Sequence, residues 1–498
     1  MYNRHSARRG APLLSITAAV LSSAVFAPAA LAFNPQPDPP GRQTDVAHTT
    51  TATFTTIAGA PNPVTTGAPF TVSGTECDRV ADVAPTGTLA FTDAKTGVSL
   101  GAATLTPDPT YENCADASVT DTETLAKGSY RITALYQPGG STPVPTSPKA
   151  SYIETVTDPL GEVYVGSNAG EISQLGFGST GLLSPLSPST ISGDLPFDTA
   201  VSPNGKYVYA TSCGGNDLLQ FKVLSNGTLQ ADSQPTVAGG ACPEFLTVSP
   251  NGKSVYMTNT GSSGSAGADS VSQYTVLANG TLEAKTPATV PTGATPTGVQ
   301  LTPNGKYAYV VNSGSSDVSE FSVEANGTLM PLSPATVATT GDYPIDVAIS
   351  PDGESVYVTC YGGYISQYDI GTNGVLTPMS PASVSTGSDP GSYYLAIGQT
   401  GTGADQVTSV YAANAQNDTI AQFSANANGT LTPDTPATLS SPDPVGIAVD
   451  DATNTVYVTN SEEGTVSQFT VAPDGTLSPA TPATIAVGAA PWGIAVRP

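Results

Sequence analysis

The chain has 498 residues, more than one ordinary hydrophobic core accommodates, so its length predicts two or more folded units. Only 11% of the residues are charged, and the 51 glycines and 44 prolines favour short strands and turns over amphipathic helices. The formal net charge of −25 argues against nucleic acid as a partner, because phosphate binding needs a lysine and arginine surface. The same scarcity of cations argues against binding to an anionic membrane surface.

Residues 1–32 have the pattern of a secretory signal peptide. Arginines precede an apolar stretch, and the Ala-Leu-Ala sequence at 30–32 matches a small-residue cleavage site. No later segment is apolar over about 18 residues, so no membrane span is expected after cleavage. The sequence therefore predicts a protein that is secreted, periplasmic or displayed at the cell surface.

Two segments separate the signal peptide from the repeats. Residues 33–48 begin with closely spaced prolines, which prevent regular strand pairing, and this segment is interpreted as an extended linker. Residues 49–156 contain short alternating apolar and polar runs between turns, which predict a β-sandwich. The stretches Pro85–Asp93 and Leu125–Tyr136 resemble the bacterial Ig-like domains of secreted surface proteins. That resemblance implies a spacer or adhesion module.

Residues 157–498 contain seven copies of a repeat, whose clearest element is a strand built around a tyrosine. From the second copy onward, a strand with an aromatic residue follows, and then a tight Asn-Gly or Asp-Gly turn, as at Asn226-Gly227. A proline, a short apolar strand and a second turn precede most copies. Four strands joined by hairpins make one propeller blade, so the sequence predicts a seven-bladed β-propeller. The tyrosines, 45 to 54 residues apart, are Tyr164, Tyr209, Tyr256, Tyr309, Tyr357, Tyr411 and Tyr457.

The two ends of the repeat array complement each other. The strand around Tyr164 lacks a complete strand before it, and Pro491–Pro498 has the pattern of such a strand with no tyrosine strand after it. Pairing of the two would complete the first blade and hide both sheet edges. We therefore predict an all-β protein, a closed seven-bladed propeller preceded by an Ig-like β-sandwich.

The VYVTN run at Val456–Asn460, its relatives in the other repeats and the SPNGK turns resemble the YVTN-repeat β-propellers of the broad seven-bladed lactonase family. The resemblance covers residues 157–498 and implies a lactonase, an isomerase-like enzyme or a surface protein without catalytic activity. Catalytic relatives are expected to use His, Arg and Glu side chains at the channel mouth. This propeller has no histidine and one arginine, Arg497, which excludes Ser-His-Asp and Cys-His sites in the propeller and predicts repulsion of anionic lactones.

Carboxylates follow the prolines that begin three of the blades. Asp198, Glu244 and Asp346 are expected to face the channel mouth, where they could chelate a divalent cation such as calcium and assist lactone hydrolysis. They belong to different blades of an acidic protein. The favoured interpretation is therefore that these carboxylates are solvated at the channel rim and do not form a metal site. Trp492 is predicted to lock the closing strand or to form a ligand platform at the mouth. No phosphate-binding, dinucleotide, haem or established metal motif is present, so no cofactor is predicted.

The five cysteines are predicted to form two local disulfides and to leave one thiol free. Cys77 and Cys114 lie in the predicted sandwich, and Cys213 and Cys242 flank one blade connection. Export permits both bonds. Cys360, at the end of a tyrosine strand, is interpreted as a buried thiol that behaves as a small apolar residue.

The sequence favours a non-catalytic function. We interpret the protein as an exported, monomeric propeller that binds a protein or glycan partner, or acts as a structural scaffold, at the cell envelope or outside the cell. The alternative is a lactone hydrolase of the lactonase family, similar to 6-phosphogluconolactonase, with or without a metal ion. Convergence of Asp198, Glu244 and Asp346 in the structure would favour the enzyme.

Overall fold

The computed structural model describes residues 53–60, 64–65, 70–78, 84–94, 99–121, 128–138, 150–157, 160–261, 269–387, 391–403 and 406–497. The predicted signal peptide and linker lie outside these residues. The described part of the chain consists of strands and turns, with one short 3-10 helix at Ala415–Asn417. Within it, no helix has the length and apolar character needed to cross a membrane.

The strands before residue 158 form two sheets. Their orders are β1-β3-β7-β6 and β2-β9-β8-β4-β5. Val72 of β3, Phe91 of β4 and Ile132 of β8 are fully buried in one apolar core, so side chains from both sheets face each other. This arrangement is a β-sandwich, and its membership of the Ig-like family stays a prediction. The strands are β1 (Thr53–Ala60), β2 (Val64–Thr65), β3 (Phe70–Asp78), β4 (Gly87–Asp93), β5 (Ser99–Thr104), β6 (Thr106–Pro107), β7 (Cys114–Asp121), β8 (Gly128–Pro138) and β9 (Ala150–Thr157).

The strands after residue 160 form seven four-stranded antiparallel sheets, which confirms the seven-bladed propeller. Blade 1 contains β37, β10, β11 and β12 from the channel outward, and blades 2 to 7 use consecutive groups of four, from β13–β16 to β33–β36. The strands of blades 1 to 4 are β10 (Gly161–Ser167), β11 (Glu171–Phe177), β12 (Leu183–Ser192), β13 (Pro196–Val201), β14 (Tyr207–Ser212), β15 (Asp217–Val223), β16 (Leu229–Ala238), β17 (Pro243–Val248), β18 (Ser254–Asn259), β19 (Ser270–Val276), β20 (Leu282–Pro291), β21 (Pro296–Leu301), β22 (Tyr307–Asn312), β23 (Asp317–Val323), β24 (Leu329–Ala338) and the closing β37 (Pro491–Arg497). Blades 5 to 7 contain β25 (Pro344–Ile349), β26 (Ser355–Cys360), β27 (Tyr364–Ile370), β28 (Leu376–Ser385), β29 (Ser392–Thr400), β30 (Val407–Asn414), β31 (Thr419–Ala425), β32 (Leu431–Ser440), β33 (Pro444–Asp450), β34 (Thr455–Asn460), β35 (Thr465–Val471) and β36 (Leu477–Ala486).

The C-terminal strand closes the ring as predicted. Strand β37 pairs antiparallel with β10, with Arg497 opposite Glu162 and Pro491 opposite Ser167. The guanidinium of Arg497 donates to the Glu162 carboxylate and, through Nε, to the carbonyl of Gly205 in blade 2 at 2.5 Å. Closure therefore combines a β-ladder with a charged contact that also reaches the neighbouring blade.

The repeat tyrosine makes the same contact in every blade. Its side chain is fully buried, and its hydroxyl donates at 2.5 to 2.8 Å to a glycine carbonyl in the outer turn of the next blade. A buried phenol needs such a partner, and the turn glycine has a positive φ that suits no other residue as well. The hydroxyl and carbonyl pairs are Tyr164–Gly227, Tyr209–Gly280, Tyr256–Gly327, Tyr309–Gly374, Tyr357–Gly429, Tyr411–Gly475 and Tyr457–Gly181.

A second repeated contact uses an amide on the third strand of the blade. In six blades a buried glutamine accepts from a leucine N–H of the next blade and donates to a carbonyl in the bulged outer strand of its own blade. Both ends of the amide are therefore satisfied in a site that excludes water. The six residues are Gln174, Gln220, Gln273, Gln367, Gln422 and Gln468.

Blade 4 has a carboxyl group in place of this amide. Glu320 is fully buried, and its Oε1 accepts from the Leu376 N–H at 3.2 Å. Its Oε2 has no hydrogen-bond partner among the described residues, because a carboxylate cannot donate where the amide N–H₂ does. Burial raises the pKa of Glu320 to about 7.

Replacing Glu320 by Gln is therefore expected to stabilise the protein. At about pH 8 the free energy of unfolding should rise by about 1 to 3 kcal/mol, because the variant supplies the missing donor. The folded-state pKa of Glu320 lies above its ordinary value of 4.5. The stability that the protonated carboxyl group contributes is therefore complete below about pH 4.5 and is lost as the pH rises towards 7. The gain should consequently shrink at about pH 5. Urea unfolding at both pH values measures it.

Two control variants isolate this carboxyl group. Gln273→Glu places the same group in the equivalent position of blade 3 and should lower stability at high pH. Glu324→Gln removes an exposed carboxylate from blade 4 and should change stability little. An equal gain from Glu320→Gln at both pH values would contradict this account.

Candidate functional site

The inner strands of the seven blades surround the central channel. Two positions after the first residue of each strand, the side chain is an acid, an aromatic ring or absent. A Cβ at Gly298 would lie 2.8 Å from Oδ1 of Asp346, and one at Gly493 would lie 2.5 Å from Oδ1 of Asp198. Glycine thus leaves room for each carboxyl group. From blade 1 to blade 7 the residues at this position are Gly493, Asp198, Phe245, Gly298, Asp346, Tyr394 and Gly446.

The carboxyl group of Asp198 bridges two blades. It accepts from the Thr199 N–H at 2.8 Å and from the Leu246 N–H of blade 3 at 3.2 Å. The residue is only 8% exposed, so the solvated-rim interpretation is wrong for Asp198.

Asp346 makes the same pair of contacts between blades 5 and 6. Its carboxyl group accepts from the Val347 N–H at 2.8 Å and from the Leu395 N–H at 3.2 Å. In contrast to Asp198, the residue remains partly exposed. Each carboxyl group keeps unused lone pairs, so Asp346 can still accept a proton or a hydrogen bond from a ligand.

Burial shifts the titration of both carboxyl groups to near neutral pH. It raises the pKa of Asp198 and that of Asp346 to about 7, although backbone N–H groups lower both values. The charge of Asp346 further raises the pKa of Asp198. Both carboxyl groups therefore exchange protons near neutral pH.

Tyr394 adds a hydroxyl group to the same region. The residue is 7% exposed, and its hydroxyl has no hydrogen-bond partner in the part of the chain that the structure describes. Burial, and then the charges of Asp198, Asp346 and Glu244, hold its pKa well above 10. The phenol therefore stays protonated and can donate to a ligand.

These groups line a central cavity of about 310 Å³. Asp198, Asp346, Tyr394, Thr247 and Gln300 supply its polar atoms, and the Thr247 hydroxyl donates to the Gln300 side chain at 2.8 Å. The remaining wall is mainly aliphatic. No lysine, arginine or histidine of the described residues lines it. A volume of this size suits a small molecule.

An aromatic cluster adjoins the cavity. Trp492 contacts Phe197 with ring centroids 4.5 Å apart and Tyr393 at 6.1 Å. Phe245 contacts Phe197 at 6.0 Å and stacks on Tyr394 of blade 6 at 5.0 Å. We call these five residues the aromatic cap. Trp492 packs in the cap and does not line the cavity, whereas Phe245 and Tyr394 belong to both.

Glu244 differs from the other two predicted carboxylates in its position relative to the cavity. It is partly buried and does not line the cavity. Burial raises its pKa to about 7, although a hydrogen bond with Thr260 opposes the shift. Within the described ranges, no three Asp, Glu, His or Cys side chains are grouped closely enough to hold a metal ion. Of the three predicted carboxylates, the structure thus brings Asp198 and Asp346 to one cavity and places Glu244 outside its lining.

Tyr394 and Phe245 were missed in the sequence. Both follow the first residue of an inner strand by two positions, as Asp198 and Asp346 do. An alignment of the seven repeats would place Tyr394 and Phe245 at the same position as Asp198 and Asp346. It does not reveal that Phe245 of blade 3 reaches Tyr394 of blade 6 across the channel.

The predicted disulfides are confirmed. Cys77 bonds to Cys114 between neighbouring strands of the sandwich, and Cys213 bonds to Cys242 across the connection from blade 2 to blade 3. Cys360 is a free, buried thiol. Two disulfides fit an exported protein.

Comparison with known protein families finds a match within the propeller. The family model described as lactonase, 7-bladed beta-propeller, matches residues 163–392, which is less than half of the chain. The match supports a propeller of the lactonase type. No curated protein sequence matches the chain significantly.

Solved structures share the fold at low sequence identity. A protein of Bacteroides fragilis, provisionally assigned as a 6-phosphogluconolactonase, has a TM-score of 0.58 and 20% identity over 68% of this chain and 98% of its own. A Bacteroides uniformis protein with the same provisional assignment has a TM-score of 0.55 and 18% identity over 68% and 100%. The periplasmic gluconolactonase of Pseudomonas aeruginosa has a TM-score of 0.51 and 17% identity over 68% and 99%.

Proposed function

We propose that the propeller hydrolyses an uncharged lactone in its central cavity. The observation that carries this proposal is the placement of Asp198, Asp346 and the unpartnered hydroxyl of Tyr394 around one cavity. The lactonase-type family match, and similarity to proteins named as lactonases, support the alternative interpretation of the sequence over the non-catalytic scaffold. The name of the Pseudomonas aeruginosa protein and the two disulfides also support export.

The three side chains can carry out general acid–base hydrolysis. Asp346 accepts a proton from water as the water oxygen bonds to the lactone carbonyl carbon. The Tyr394 hydroxyl donates a hydrogen bond to the carbonyl oxygen, where negative charge develops. As the carbonyl re-forms, the ring C–O bond breaks and the departing oxygen takes a proton from Asp198. Asp346 has then gained one proton and Asp198 has lost one, so a single transfer through solvent restores the site.

The electrostatics of the cavity select the charge of the substrate. Its described lining holds two carboxyl groups and no cation, and the guanidinium of Arg497 is already bound to Glu162. A phosphorylated or carboxylate-bearing lactone would be repelled. Hydrolysis of a neutral lactone forms a hydroxy acid, which ionises and is repelled in turn, so the same charge favours product release.

A hydrolysis assay tests the proposal with two matched substrates. Purified protein should hydrolyse glucono-δ-lactone with kcat/KM about tenfold or more above that for its 6-phosphate, after subtraction of the spontaneous rate. The rate should rise towards pH 7 as Asp346 ionises and fall at higher pH as Asp198 loses its proton. Activity that a chelator leaves unchanged supports the carboxyl mechanism, and loss with chelator supports the metal-assisted alternative. Preference for the phosphate, or no turnover of either lactone, would overturn the proposal.

Recognition of a protein or glycan partner and a monomeric state stay predictions from the sequence. Neither conflicts with a catalytic cavity, because the loops and outer blade edges lie away from the inner strands.

A further inference from the structure

The polar groups of the central cavity lack a positively charged counterpart. Asp198 and Asp346 receive only backbone N–H groups, at 2.8 and 3.2 Å in each case. Within the described residues that line the cavity, no side chain carries a positive charge. Two carboxyl groups that share such a cavity remain partly protonated unless a cation neutralises them. The charge distribution therefore favours a ligand that brings a positive charge.

The aromatic wall of the cavity favours the same charge. Phe245 and Tyr394 stack with centroids 5.0 Å apart at an interplanar angle of 29°, and both rings line the cavity. The face of an aromatic ring is electronegative and attracts ammonium groups, with a larger effect where water is excluded. Aromatic faces beside carboxylates recur in proteins that recognise quaternary ammonium ions.

The Tyr394 hydroxyl is an independent sign of a ligand. It is buried without a hydrogen-bond partner in the described structure, although such groups are almost always satisfied in native proteins. The hydroxyl oxygen can accept from an ammonium N–H and can donate to an oxygen of the ligand. A group bound between Tyr394 and the carboxylates would satisfy it.

We propose that the central cavity binds a small organic cation, a primary or quaternary ammonium ion, between Asp198, Asp346, Phe245 and Tyr394. This inference goes beyond the proposed function, because binding requires no hydrolysis.

An organic cation fits the cavity better than a metal ion. Two carboxyl groups and two aromatic rings do not provide the six or more oxygen ligands that calcium takes. A cavity of about 310 Å³ also has room for a small alkylammonium ion, which neutralises the acids.

Binding should be coupled to proton release. The titratable groups that face the bound cation are Asp198 on β13, Asp346 on β25 and Tyr394 on β29, with Glu244 on β17 nearby. A cation beside these carboxyl groups favours their ionised form. Binding near pH 7 should therefore release protons, and affinity should weaken as the pH falls to about 5.

Calorimetry on the purified full chain tests the inference with choline and 3,3-dimethylbutan-1-ol, its uncharged carbon isostere. Choline should bind saturably and about tenfold or more tightly than the isostere, because only choline gains the charge interactions. The measured heat should depend on the ionisation enthalpy of the buffer, which reports proton release. Equal binding of both probes, or no saturable binding of choline, would overturn the inference.

Variants identify the site. Asp346→Asn should weaken choline binding about tenfold and leave binding of the isostere unchanged. Tyr394→Phe keeps the aromatic face and removes the hydroxyl, so it should weaken choline less than Asp346→Asn. Asp369→Asn, which removes an exposed carboxylate on β27, is the matched control. If Asp346→Asn does not fold, Tyr394→Phe and the buffer dependence of the binding heat still test the site. Choline binding that no cavity variant weakens would refute the site.

Failure of this inference can be told apart from failure of the proposed function. Lactone hydrolysis without choline binding would refute the cation site alone, and choline binding without hydrolysis would refute the hydrolase alone. If both are correct, choline should inhibit hydrolysis competitively.

Discussion

Asp346→Asn is expected to lower kcat/KM for an uncharged lactone by about 10² to 10⁴-fold, the usual effect of removing a general base. The amide cannot accept the proton of the attacking water. Asp346 has this role because it is partly exposed, whereas Asp198 is buried. Steady-state hydrolysis from about pH 5.5 to 8.5 is the measurement, and the wild-type rise towards pH 7 should be absent from the variant.

Controls separate this loss from a loss of structure. Asp346 also accepts from the N–H groups of Val347 and Leu395, and an asparagine nitrogen cannot do so. The melting temperature of each variant must therefore accompany its activity. Tyr394→Phe, which breaks no described hydrogen bond, should lower kcat about 10² to 10³-fold with little change in stability. Asp369→Asn should retain full activity, and an unchanged pH profile in Asp346→Asn would show that another group is the base.

The fold was predictable because the residues that form the contacts between blades recur in every repeat. The tyrosine of one blade and the turn glycine of the next form a single hydrogen bond, as between Tyr309 and Gly374. The tyrosine strand and the turn therefore recur together while the connections between them vary in length. The disulfides were predictable for a similar reason, since Cys213 and Cys242 are close in sequence and join consecutive blades.

The site was less predictable because its contacts join residues far apart in the chain. The sequence predicts Asp198 at the channel mouth, but the contacts that bury it involve Leu246 of blade 3 and Gly493 of the closing strand. The stacking of Phe245 on Tyr394 crosses the channel, and no repeat pattern encodes which blades face each other closely enough. Glu320 is a related case, because only the structure shows that its position requires an amide.

Arg497, to which the sequence assigns no role, takes part in ring closure. Arg497 contacts Glu162 on the strand it pairs with and the Gly205 carbonyl in blade 2. This use explains why the single arginine of the propeller is not a substrate-binding cation. Without this contact, the β-ladder and the apolar cluster that contains Val163, Val165 and Ile494 would hold β37 to β10.

Arg497→Met is accordingly expected to lower the free energy of unfolding by about 3 kcal/mol, because the Glu162 side chain, 3% exposed, would keep a buried charge without its partner. Burial already raises the pKa of Glu162, so the loss should be greatest above neutral pH and smaller near pH 5, where the carboxyl group can be protonated. Hydrogen exchange should increase first in β37 and β10. Adding Glu162→Gln to Arg497→Met should recover part of the stability, whereas Lys306→Met, which removes an exposed cation, should cost little. Equal costs for Arg497→Met and Lys306→Met would show that the β-ladder alone closes the ring.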